Sequence, residues 1–129
     1  MIVFVFGSEH DTHAWLMADK IKKYFPEIEF IKSENPDDII GIKGSFIIMD
    51  VAEGLIKPKL LEIEDIRARS ICTLHDFDLG MTLKLAGQMS NARFRIIGIP
   101  KNCAVSSARR ILEKALKGMR LARLRQPTK

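Results

Sequence analysis

The chain has three histidines, His10, His13 and His75, and each follows closely on an apolar run. Ile2–Phe6 leads into Gly7-Ser8-Glu9-His10-Asp11-Thr12-His13, and Ser70–Leu74 leads into His75-Asp76. A further run, Phe46–Met49, stops at Asp50. Imidazole nitrogens and carboxylate oxygens bind zinc and nickel, and the same groups act as general acids and bases. His10, His13, Asp50 and His75 are therefore the candidate metal ligands, and a metal or acid/base site is the leading expectation. A helix would turn His10 and His13 to one side. As an isolated H-x-x-H they equally suit a polar loop. Asp50 could instead cap the turn at Val51-Ala52-Glu53-Gly54, and His75 could be a hydrogen-bonded core histidine.

Other chemistries find less support. Gly7-Ser8 lies in neither G-x-G-x-x-G nor G-x-x-x-x-G-K-S/T, so no dinucleotide or P-loop phosphate cradle is expected. No G-x-S-x-G elbow is present. Cys103 could serve as a nucleophile only if the fold set it beside His75. Ser106 and Ser107 read as the start of a helix.

For the candidate residues to meet, separate strands must end at one edge of a sheet. Ile2–Phe6 is β-branched and aromatic throughout, as in a strand buried on both faces. A helix is expected from about Thr12 to Tyr24, capped by Asp11 or Thr12, with Ala14, Leu16/Met17, Ile21 and Tyr24 on its apolar stripe. Pro26 ends it, and Glu27–Ile31 alternates like a half-exposed strand. A short helical turn fits Pro36–Ile40. Ser45–Met49 reads as a buried strand ending at Asp50. An irregular crossover with an extended piece at Lys59–Ile63 follows, then a strand at Ser70–Leu74. Leu79–Gln88 has helical spacing, Phe94–Ile99 is strand-like, and an amphipathic helix closes the chain from about Val105 to Leu124. Its apolar side carries Ala108, Ile111/Leu112, Ala115, Met119 and Ala122.

Short strands alternating with helices predict an α/β fold: a three-layer α/β/α sandwich with a mostly parallel sheet of about five strands. Right-handed crossovers would set Gly7, Asp50 and His75 at the same sheet edge, where such sheets bind ligands.

With 129 residues the chain makes one domain, taken as residues 1–118, followed by a basic helix end and tail at 119–129. No apolar run approaches a membrane span and the N-terminus lacks the basic start of a signal peptide, so a cytoplasmic protein without membrane association is expected. The two cysteines, Cys72 and Cys103, form no C-x-x-C and suit a reducing compartment. The net charge of +5 is unevenly spread. From Arg109 onward eight basic residues face one acid, a net +7, while the preceding 108 residues carry −2. This basic helix could be a solvated face or an electrostatic dock for an acidic partner. No aromatic residue is interleaved with it, which disfavours nucleic acid.

The order of the motifs resembles a known family. The strand, glycine and acidic/histidine loop at 2–13, the run Ile-Ile-Met-Asp50-Val-Ala-Glu-Gly, the run Leu74-His75-Asp76-Phe77-Asp78-Leu79-Gly80 and Phe94-Arg-Ile-Ile-Gly98-Ile-Pro100 follow one another. They look like the hydrogenase maturation endopeptidases, in particular the shorter archaeal-type members related to the hydrogenase 3 enzyme, over nearly the whole chain to about Leu116. The resemblance implies an α/β/α fold and a peptidase that removes the C-terminal extension of a nickel-iron hydrogenase large subunit after nickel insertion. It implies a hydrogenase-like large-subunit precursor as partner and nickel, carried mainly by that substrate, as the metal, with zinc as an alternative. Asp50 and His75 match the family's aspartate after the third strand and its histidine before the next helix, and so take the catalytic, metal-directed roles. The family's glycine-asparagine pair is Gly7-Ser8 here, and its loop acid falls on Ala14, which ligates nothing. His13, His10 or Asp11 would have to replace that ligand. The alternative is a non-catalytic metal- or maturation-factor-binding member of the same fold. A regulatory protein docking an acidic partner through its basic helix is a third reading.

Overall fold

The computed structural model describes residues 1–39, 42, 44–61, 73–74 and 93–124. The apolar run Ile2–Phe6 forms β1, His13–Ile21 forms α1, Glu29–Ser33 forms β2 and Ser45–Glu53 forms β3. Lys59–Leu61 is β4, Thr73–Leu74 is β5, Arg93–Ile99 is β6 and Val105–Leu124 is α2. Short 3-10 turns occupy Lys22–Tyr24 and Pro36–Ile39.

The sheet runs β2-β1-β3-β6-β4, with β5 paired to β3 off this path. β1 is parallel to both β2 and β3, and β3 is parallel to β6; β4 closes one end antiparallel to β6. The chain is thus α/β with a mostly parallel sheet, as the alternation of strands and helices predicts. From β1 the chain moves outward to β2, then returns to β3 on the other side of β1. The reversal leaves a topological switch point between β1 and β3, the place where open α/β sheets hold ligands.

Each central strand contributes to two cores. Val3, Val5, Ile47, Met49, Val51, Ile97 and Ile99 face α1 and α2, whose Ala14, Ala18, Ala108, Leu112 and Ala115 are buried against them. The small alanines let the two helices pack closely on each other and on the sheet. The other face is aromatic: Phe4, Phe6 and Phe46 are buried there with Ile48, Ala52, Leu61, Ile96 and Ile39 of the second 3-10 turn. Phe46 meets Phe4 edge-on at 5.7 Å and stacks on Phe94 at 5.5 Å. Each such side chain withdrawn from water contributes about 1.5–3 kcal/mol.

Several expectations need correction. β3 does not stop at Met49. It runs through Asp50 to Glu53, because β6 keeps pairing with it as far as Val51 and β5 pairs with Ala52 and Glu53. β2 begins at Glu29 rather than Glu27, since it enters the sheet opposite Ile2. β5 lies antiparallel to β3, whereas a parallel strand was expected at Ser70–Leu74. Most of that segment, and the helix expected at Leu79–Gln88, lie outside the described residues. α2, by contrast, spans Val105–Leu124 as expected, and Met119 on its apolar side is buried in the first core. Among the described residues no helix is long and apolar enough to cross a membrane.

Gly98 in β6 marks the tightest packing. A Cβ there would stand 2.9 Å from the Ala52 Cβ and 2.9–3.0 Å from methyls of Leu61 and Leu55. The leucine tips can rotate aside, but Ala52 is fixed to the neighbouring strand. Gly98→Ala is expected to lower unfolding free energy by about 1–3 kcal/mol, the usual cost of overpacking. Ala52→Gly in the same chain should recover part of the loss; urea denaturation of the single and double variants checks both.

Candidate functional site

The site is built where β1 ends beside β3. Val5 pairs with Met49, so one residue further Phe6, the last of β1, stands level with Asp50. Gly7 continues the pairing with β2 by donating its N–H to the Ser33 carbonyl at 3.0 Å. The chain then folds back at once. Ser8 and Asp11 exchange backbone hydrogen bonds at 3.0 and 3.1 Å, and Ser8 Oγ accepts the His10 N–H at 3.3 Å. Gly7 is required by close approach: a Cβ would lie 2.9 Å from the Asp11 carbonyl oxygen and 3.0 Å from the Trp15 indole. That indole donates to the Val5 carbonyl at 2.9 Å and ties α1 to β1.

Asp11 starts the helix. Its Oδ1 accepts the His13 N–H at 3.3 Å, and the same oxygen lies 2.8 Å from His13 Nδ1. Thr12, the residue before the helix, makes no side-chain cap bond. Of the two caps the sequence allows, Asp11 is the one used. His13 remains half-exposed, and His10 is exposed at the turn.

Asp50 is the anomaly of the sheet: it is fully buried inside β3. Ile47, Met49 and Val51 face the helical core, whereas Phe46, Ile48 and Ala52 face the aromatic one. Strand alternation therefore puts Asp50 on the aromatic face. Its register partner across the sheet is Gly98, which presents no side chain beside the carboxylate. Its Oδ1 accepts the N–H of Val51 at 2.8 Å. Burying a carboxylate costs free energy that packing alone does not return, and such groups concentrate at functional sites.

The sequence-derived set is thus partly assembled. Asp50 and the loop carrying His10 and His13 share the carboxyl edge of β1 and β3. Yet His13 opens the helix on one face of the sheet while Asp50 belongs to the other, and His13 Nδ1 is already engaged by Asp11. Among the described residues, no three of His, Cys, Asp or Glu come together as a metal-holding group. His75 lies outside the described residues; Leu74, which precedes it, pairs with Ala52, two positions beyond Asp50 in β3. Ala14 is buried in the helical core, so the position of the family's loop acid is here a packing position. Sequence reasoning overlooked Gly98, although a glycine inside the run Phe94–Ile99 was the available signal of close approach.

Cys103 follows β6 and is partly buried, its Sγ donating to the Ala104 carbonyl at 3.3 Å. Burial pushes its thiol pKa up, against a smaller opposing pull from the Ala108 N–H. A nucleophilic cysteine needs the opposite shift.

Two measurements test this geometry. Asp11→Ala should lose about 1 kcal/mol of stability through its helix cap, and His13→Ala less than about 0.5 kcal/mol as a surface change, by urea denaturation. Iodoacetamide should label Cys103 more slowly in the native chain than in the urea-unfolded chain at pH 8, because the raised pKa lowers the thiolate fraction. Peptide mass spectrometry separates Cys103 from Cys72.

No family model, no curated protein and no solved structure matches the chain, so the likeness to hydrogenase maturation endopeptidases rests on the ordered motifs alone.

Proposed function

We propose that this chain is a peptidase-like protein of the hydrogenase maturation type, acting on the C-terminal extension of a hydrogenase-like large-subunit precursor. The observation that carries the proposal is Asp50: a carboxylate fully buried in the central strand, at the switch point between β1 and β3. Asp50 and His75 would be the groups directed at the metal, nickel brought in by the substrate, with zinc the other ion such donors suit. A metal held there would polarise the carbonyl of the bond to be cut. The protein's own contribution would be to fix Asp50 on the central strand β3 and to keep one wall of the site apolar through Phe6 and Ile48.

A second reading, a metal- or maturation-factor-binding relative without peptidase activity, is favoured by Ala14 and His13. The first occupies the loop-acid position as a core residue, and the second has Nδ1 engaged by Asp11. Both readings use Asp50.

Incubation of the purified protein with a nickel-loaded large-subunit precursor should release the C-terminal extension. Asp50→Ala should slow that release by at least about a hundredfold, since even outer-shell partners of metal ligands are worth ten- to a hundredfold. Normal cleavage by Asp50→Ala would sink both readings. Stable capture of the precursor by the wild type with no cleavage, lost in Asp50→Ala, would select the second.

A further inference from the structure

A second site candidate lies at the opposite end of the sheet order from β2, where the edge strand β4 meets α2. A cleft of about 460 Å³ opens there, within the range of small-molecule sites. Lys57 and Lys59 line it from the β4 side, and Arg110 and Lys114 from α2. None of the described lining residues is acidic. Elsewhere among the described residues several cations are paired with acids: Lys32 and Lys22 with Asp19, Arg109 with Glu113, and Arg120 with Glu27. Among the described residues, the four cations of the cleft are in no such pair.

Four like charges on one concavity repel each other, and an anion of matching charge relieves that repulsion. Ser107 brings the first turn of α2 into the lining, so the positive end of a 20-residue helix adds to the field. The first turn of α2 holds no acid to offset it. Arg110 offers a planar fork for two phosphate oxygens, and the lysines offer mobile point charges. Leu60 and Ile111, both packed on the helical core, give the cleft an apolar side. That side would be wasted on an inorganic ion, yet it suits the carbon body of an organic one. None of the described lining residues is aromatic, so stacking is not part of the recognition they offer.

We propose that this cleft binds a small organic molecule bearing two or more phosphate charges, independently of the Asp50 site. Charge lost with Lys57 and Arg110 would remove one cation from each wall while leaving both cores intact, since both side chains are exposed.

The test is calorimetric titration of the full chain at 0.15 M salt with pyrophosphate and with ADP, beside anionic phosphatidylglycerol vesicles and poly-glutamate. One-to-one binding of both soluble phosphates is expected, tighter for ADP. The double variant Lys57→Gln/Arg110→Gln should bind at least about tenfold more weakly, as expected for lost charge-assisted hydrogen bonds. A control, Lys20→Gln/Lys23→Gln, removes the same charge outside the cleft and should bind as the wild type; circular dichroism confirms that both variants fold. Equal weakening in the two variants would mean a diffuse basic field and overturn the proposal. So would failure of both phosphates to bind, or binding confined to vesicles or poly-glutamate.

Discussion

The structure depends on β3 being hydrogen-bonded along both edges and covered on both faces. β1 and β6 lie parallel to it on its two sides, and both cores run along it, the helical one through Ile47, Met49 and Val51 and the aromatic one through Phe46, Ile48 and Ala52. Parallel strands in that position are apolar because no face meets water. Asp50 breaks the rule at the point where β1 gives out and β6 offers Gly98. Within β3 the carboxylate sits where β1 reaches its last residue and the other neighbouring strand contributes no side chain.

The same constraint shapes what surrounds it. Ending β1 at Phe6 forces the chain to turn within a few residues, and Gly7 makes the turn possible by leaving room for Trp15 and the Asp11 carbonyl. Asp11 then serves two groups of one residue, the His13 N–H and its imidazole. The loop is thereby braced by its own short-range bonds, and its polar residues are fixed to the helix it launches. At the far edge of the sheet Lys57, Lys59, Arg110 and Lys114 gather around a cleft, and among the described residues none of the four is paired with an acid.

Much of this was legible from hydropathy. β1, β6 and α2 appear within a residue of their expected bounds because burial on a strict period leaves few alternatives. The end of β3 was misplaced because a charged residue normally closes a buried strand, and only the register with β6 carries it past Asp50. β2 slipped by two residues for a related reason: alternation defines a strand's period, whereas its start is set by the partner it meets. The gathering of Asp50 and the His10–His13 loop at one edge was readable from strand order. Their assignment to different faces was not, because the face chosen by α1 follows from the handedness of a crossover, which composition does not encode. The basic cleft was only half visible: the charge of the final helix was plain, but Lys57 and Lys59 reach it through the pairing of β4 with β6, which joins strands far apart in sequence.

Trp15 gives this architecture a property unrelated to chemistry. It is the sole tryptophan, and its indole bridges the last residues of β1 and the first turn of α1 through a single hydrogen bond to Val5. Its emission therefore originates from one junction, the hinge between the strand that ends at the switch point and the helix that leaves it. Separation of that helix from that strand would move the indole from a protein carbonyl to water and redden its fluorescence, even with the remainder of the sheet intact. The chain thus carries an intrinsic optical gauge at the margin of Asp50, able to distinguish local loosening there from global unfolding.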